Sequence, residues 1–78
     1  MHPITHANQV GAALLGRRKA LGLSQAQVAE KLGLSQNRIS ELEKEPDTLT
    51  VHQLLAIANV LGLELTIRER TNSRNAEW

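Results

Sequence analysis

Cysteine, phenylalanine and tyrosine are absent from this sequence, and its single tryptophan, Trp78, stands at the last position. Each absence excludes something. Without cysteine there is neither a disulfide nor a thiolate zinc site to staple the chain. Without Phe or Tyr the core has to be aliphatic, built from Leu, Ile, Val and Ala, which suits helices packed closely together. Net charge is nearly absent too, because nine Lys and Arg against eight Asp and Glu leave +1. A uniformly polybasic nucleic-acid glue is thereby excluded, and any electrostatic footprint depends on where the charges sit. No apolar run approaches the roughly 20 residues of a membrane span. The start Met1-His2-Pro3-Ile4-Thr5-His6 lacks the apolar stretch of a signal peptide. A soluble, cytoplasmic protein with no membrane association is expected.

What is present is one small domain. A chain of 78 residues buries only about 60% of its unfolded surface and is marginal as a monomer. With no disulfide or metal in prospect, dimerisation is the remaining common source of extra burial.

Four stretches carry helical periodicity, each punctuated at both ends. The first runs from about His6 to Ala20, with Val10, Leu14 and Leu21 on one stripe and Gly22 as its stop. Ser24 opens the second, and Gln27 three residues on completes a capping box; Val28, Ala29 and Leu32 are its apolar set and Gly33 its end. Ser35 opens the third, which carries Ile39 and Leu42 and closes before Pro46. Thr50 and Gln53 form another capping box, opening a fourth helix with Leu54, Leu55, Ile57, Ala58 and Leu61 as its apolar set, ended by Gly62. Beyond Gly62 the period becomes two: Leu63, Leu65 and Ile67 alternate with Glu64, Thr66 and Arg68, the pattern of a half-buried strand. One strand cannot satisfy its own backbone groups. The simplest partner is the same strand of a second copy, antiparallel across a two-fold axis. The expected organisation is an N-terminal arm (1–4), a helical domain (5–62), a dimerising strand (63–70) and a flexible polar tail (71–78).

The informative segment is Gln25 to Leu42. Two short helices meet at Gly33, whose freedom at positive φ lets the chain turn sharply. Ala29 is small where the next helix crosses close over it. Val28, Leu32, Ile39 and Leu42 attach the pair to the core, which leaves the second helix one outward face: Gln36, Asn37, Ser40 and Glu41, with Arg38 at its flank. Gln and Asn at the start of such a helix can make bidentate contacts to adenine in a major groove. The helix start at Ser24 offers free N–H groups to a phosphate. Candidate DNA-contacting residues are therefore Ser24, Gln25, Ser35, Gln36, Asn37, Arg38 and Ser40. For several a plainer role stays open: Ser35 as a cap alone, Gln25 as a helix-start residue, Arg38 as a solvated arginine.

The composition gives no support for catalysis. His2, His6 and His52 are scattered with no carboxylate clamp, no serine has a His base on its face, and no glycine-rich phosphate loop is present. A non-enzyme without metal or cofactor is expected.

The spacing Gln25, Ala29, Gly33, Ile39, Leu42 resembles that of the phage-repressor-like (Cro/C1, or XRE-type) helix-turn-helix proteins. The likeness covers about Val10 to Leu63 and includes Arg18, Gly22-Leu23-Ser24-Gln25, Val28-Ala29, Gly33, Ile39-Ser40 and Glu43. The resemblance implies an all-α, lambda-repressor-like domain of four to five helices, with Gln25 and Gln36 on DNA and Arg18 ion-paired to Glu43 inside the fold. Leu61-Gly62-Leu63-Glu64-Leu65-Thr66-Ile67, followed by a polar tail ending Glu77-Trp78, is similar to the HipB antitoxins, the DNA-binding partners of HipA-type serine/threonine kinase toxins. That likeness implies a homodimer joined through Leu63, Leu65 and Ile67, an inverted-repeat operator duplex as ligand, repression of transcription, and a HipA-like kinase as protein partner. Trp78 would be the toxin contact, since a large apolar anchor on a tether suits a partner's pocket. Two other readings remain: a stand-alone repressor without a toxin, and an interaction module that does not read DNA, which Glu41, Glu43 and Glu45 beside the recognition helix favour.

Overall fold

The computed structural model describes residues 3–70. Four α-helices follow in order: α1 (Ala7–Ala20), α2 (Gln25–Leu32), α3 (Gln36–Lys44) and α4 (Val51–Val60), with a 3-10 turn at Pro46–Thr48 before α4. Local chemistry sets their starts. The Ser24 hydroxyl accepts from the Gln27 N–H at 3.0 Å, and the Gln27 side chain accepts from the Ser24 N–H at 2.7 Å. Thr50 and Gln53 repeat that reciprocal box with both bonds at 3.0 Å. Each box satisfies two of the donors that a helix start leaves without partners.

Three of the helix ends share a device that the periodicity reading passed over. Leu-Gly-Leu occurs at residues 21–23, 32–34 and 61–63. Each time the second leucine's N–H reaches back five residues: Leu23 to Arg18 O at 3.1 Å, Leu34 to Ala29 O at 2.9 Å, Leu63 to Ala58 O at 2.8 Å. This is the six-to-one bond of a Schellman ending, and its glycine needs the left-handed region; Gly33 sits there at φ 69°. The leucines that follow, Leu23, Leu34 and Leu63, pack half-buried against the core.

That core is aliphatic: Leu14 from α1, Val28 and Ala29 from α2, Ile39 and Leu42 from α3, and Ile57 with Leu61 from α4 and its end. α2 packs on α3 and α4, and α1 packs on α3 and the 3-10 turn. The approach of α1 depends on Gly11, a buried position where a Cβ would collide with the Glu43 carbonyl oxygen and stand 3.2 Å from Pro46 Cγ. No local pattern marks that glycine, because its neighbours are more than thirty residues away.

The structure departs from these expectations at several places. α1 begins at Ala7, one residue later than expected, with His6 as its N-cap. Leu21, assigned to the α1 stripe, lies past the helix end and is exposed, and Leu55 is exposed on α4; α4 carries more apolar residues than one buried face can cover. Arg17, which no sequence pattern singles out, donates from Nε to the Leu61 carbonyl at 2.9 Å. It thereby tethers the end of α4 to α1. Among the described residues no strand pairs within the chain. Residues 63–70 follow Gly62 with Leu63 half-buried, Leu65 exposed and Ile67 96% exposed, so the expected half-burial of the strand face is not met inside one copy.

Candidate nucleic-acid interface

α3 is anchored by its buried Ile39 and Leu42, which fixes the opposite side as the presented one. Gln36, Asn37 and Glu41 are exposed there, and Ser40 is half-buried beside them. Ser35 caps the helix, its hydroxyl accepting from the Arg38 N–H at 3.1 Å. The preceding turn residue, Gly33, and the buried Ala29 hold α2 against α3, so the first turn of α3 projects from a rigid corner. The exposed amides of Gln36 and Asn37 can each donate and accept at once, the chemistry that an adenine edge requires. Ser24, exposed at the start of α2, spends a lone pair on its cap, which leaves its hydroxyl proton free to donate.

Two of the candidate residues hold contacts of their own. Gln25 is half-buried, and its Nε2 donates to Glu43 Oε1 at 3.0 Å. The same carboxylate takes Arg18 Nε at 2.7 Å and Arg18 Nη2 at 3.3 Å, while Arg18 Nη1 donates to the Leu23 carbonyl at 2.9 Å. Arg18 and Glu43 are side chains only 10% and 8% exposed. With Gln25 they tie α1, α2 and α3 together at one buried point. Arg38 pairs with Glu41 on α3, and its Nη2 lies 3.5 Å from Gln53 Oε1 on α4. Neither set of partners carries a local spacing signal, because Gln25 to Glu43 and Arg38 to Gln53 connect different helices. Among the described residues no buried side-chain nitrogen or oxygen lacks a partner, no group of His, Asp and Glu is placed to hold a metal, and no helix is long and apolar enough to cross a membrane.

Of the residues expected to form the strand, Leu63 and Leu65 line a groove and Ile67 does not. An open groove of about 500 Å³ is bordered by Pro3, Ile4, Val10, Ala13, Leu54 and Leu65. Trp78, expected to meet a protein partner, lies outside the described residues, as does the tail over 71–78.

A capped pair of short helices locked at a glycine turn, with a polar outward face on the second, defines a helix-turn-helix domain. Residues 16–67 match the helix-turn-helix family model, and the chain belongs to that family. It is a homologue of the antitoxin HipB of Escherichia coli (strain K12), with 31% identity over 77 residues, covering 90% of this chain and 88% of that protein. Two solved structures share its fold closely. A HipA–HipB–O2–O3 complex aligns with TM-score 0.83 at 28% identity, over 91% of this chain and 100% of that one. A HipB–O4 20mer complex aligns with TM-score 0.82 at 28% identity, over the same shares.

Proposed function

We propose that this chain is a homodimeric, sequence-specific DNA-binding repressor and antitoxin that occupies inverted-repeat operators and neutralises a HipA-type serine/threonine kinase. The observation that carries the reading is the outward face of α3, with Gln36 and Asn37 exposed and Ser40 half-buried beside them, opposite the buried Ile39 and Leu42. Two such helices on a two-fold axis would enter major grooves about one helical turn, ~34 Å, or a multiple apart. Ser24, Gln25, Ser35 and Arg38 would take phosphates and set the register, Gln25 through the amide hydrogen that its bond to Glu43 leaves over. The relatives' complexes with HipA and with O4 20mer support both roles for a chain that aligns over nine-tenths of its length. The protein acts by binding and not as an enzyme, in the cytoplasm and at the nucleoid when on DNA.

The test is readout. Gln36→Ala and Asn37→Ala are each expected to weaken binding to a selected operator duplex by about 1–3 kcal/mol and to relax preference at one base position. Binding-site selection from a random duplex library measures both effects. Unchanged specificity in both variants would remove α3 from the readout.

A further inference from the structure

The Arg38 guanidinium is held from two directions before any ligand arrives. Nη1 pairs with Glu41, one turn further along α3, and Nη2 faces Gln53 Oε1 at 3.5 Å. Gln53 is itself a fixed post, because its Oε1 also accepts from the Thr50 N–H and its own N–H donates to the Thr50 hydroxyl. Glu41 stands four residues from Asn37 and one from Ser40, so its half-exposed carboxylate shares the face that carries the exposed amides. A carboxylate there opposes every phosphate, whatever the base sequence. On a surface that touches DNA that is a cost in affinity, and its partner suggests what it achieves.

We propose that Glu41 determines specificity by acting through Arg38: it withholds the guanidinium from the phosphates of an arbitrary duplex and yields it only where the Gln36 and Asn37 contacts seat α3 fully. The inference rests on the operator-binding reading. Non-specific binding is almost wholly a matter of phosphates neutralised, and each added cation contact steepens the salt dependence. A charge held in an ion pair makes no such contribution until the pair opens. Glu41 therefore lowers binding to wrong sequences more than to the right one, and widens the ratio between them.

The experiment compares the wild-type chain with Glu41→Gln, Arg38→Ala and the double variant. Binding is read by fluorescence anisotropy over a salt series, on a duplex of scrambled sequence and on the duplex that the wild-type protein enriches from a random library. Glu41 is half exposed, so Glu41→Gln keeps its shape and leaves the fold intact, as a thermal melt checks. Glu41→Gln is expected to tighten binding to the scrambled duplex by up to about fivefold, the scale of an exposed ion pair. Its slope of log K against log salt should steepen by about 0.9, one further phosphate contact. Binding to the enriched duplex should change less, and in the Arg38→Ala background the Glu41 effect should shrink to the direct repulsion alone, with no change of slope, since the freed guanidinium is then missing. Three results would overturn the proposal: equal tightening on both duplexes, an unchanged slope, or the same Glu41 effect with Arg38 absent. A wild-type chain that enriches no sequence at all would instead remove the operator reading, and this role with it.

Discussion

Glu43→Ala is expected to lose about 3–5 kcal/mol of folding stability, because it strands a buried charge. The Glu43 carboxylate takes Arg18 Nε at 2.7 Å, Arg18 Nη2 at 3.3 Å and Gln25 Nε2 at 3.0 Å. Once it is removed, the guanidinium of Arg18, buried in the native fold, is left with the Leu23 carbonyl alone. The loss is large against a total of about 5–15 kcal/mol for a typical domain, and a chain this small sits low in that range. Helices α1, α2 and α3 converge on this one side chain, so no neighbouring contact takes over. Replacing both partners, Arg18→Met with Glu43→Leu, should cost much less, since neither charge is then left buried. Urea unfolding followed by circular dichroism measures the three variants. A Glu43→Ala protein within about 1 kcal/mol of wild type, the usual worth of an exposed pair, would show that water reaches the site and that the pair is not the linchpin.

Ile67→Asp is expected to convert the proposed dimer to monomer and to remove operator binding with it. In a single copy Ile67 is 96% exposed, Leu65 46% and Ile4 54%, beside an apolar groove of about 500 Å³. Burying one such side chain contributes about 1.5–3 kcal/mol, and a two-fold axis counts it twice. An aspartate at the same place sets two carboxylates into the apolar seam, where neither has a partner. Linked half-sites gain about 10²–10⁴ in affinity from the linkage alone, and monomers forfeit that gain. Light scattering reads the assembly and anisotropy reads the DNA. A variant that stays fully dimeric would contradict pairing through residues 63–70, whatever happens to its DNA binding.

The parts of this fold that could be read from sequence are those whose causes lie within one helical turn. Ser24 with Gln27 and Thr50 with Gln53 mark helix starts because both members of each box are local, and Gly33 marks the turn because its φ demands it. Ile39 and Leu42 were placed inward by spacing, which left Gln36 and Asn37 outward. What depended on distant chain was not legible. Gly11 is a glycine because Glu43 and Pro46 press against it. Arg17 carries no local signal because its acceptor, the Leu61 carbonyl, lies 44 residues on. Leu55 counted as core because its period fits, although α4 turns it outward. The pairing of Arg18 with Glu43 entered through family likeness, since a separation of 25 residues carries no periodic signal. Gln25 shows the same limit inside the site. Its position at a helix start suggests a ligand contact, but not that one of its amide hydrogens is engaged by a carboxylate that only the tertiary fold brings near.

The central claim is that one small chain holds an operator and a kinase. Its most direct test tags the protein at its own locus, recovers it at moderate salt without nuclease, and identifies the co-recovered protein by mass spectrometry and the co-recovered DNA by sequencing. The account predicts a stoichiometric HipA-like kinase together with an inverted-repeat duplex. Recovery of the chain with no kinase, or with no enriched DNA sequence, would contradict it.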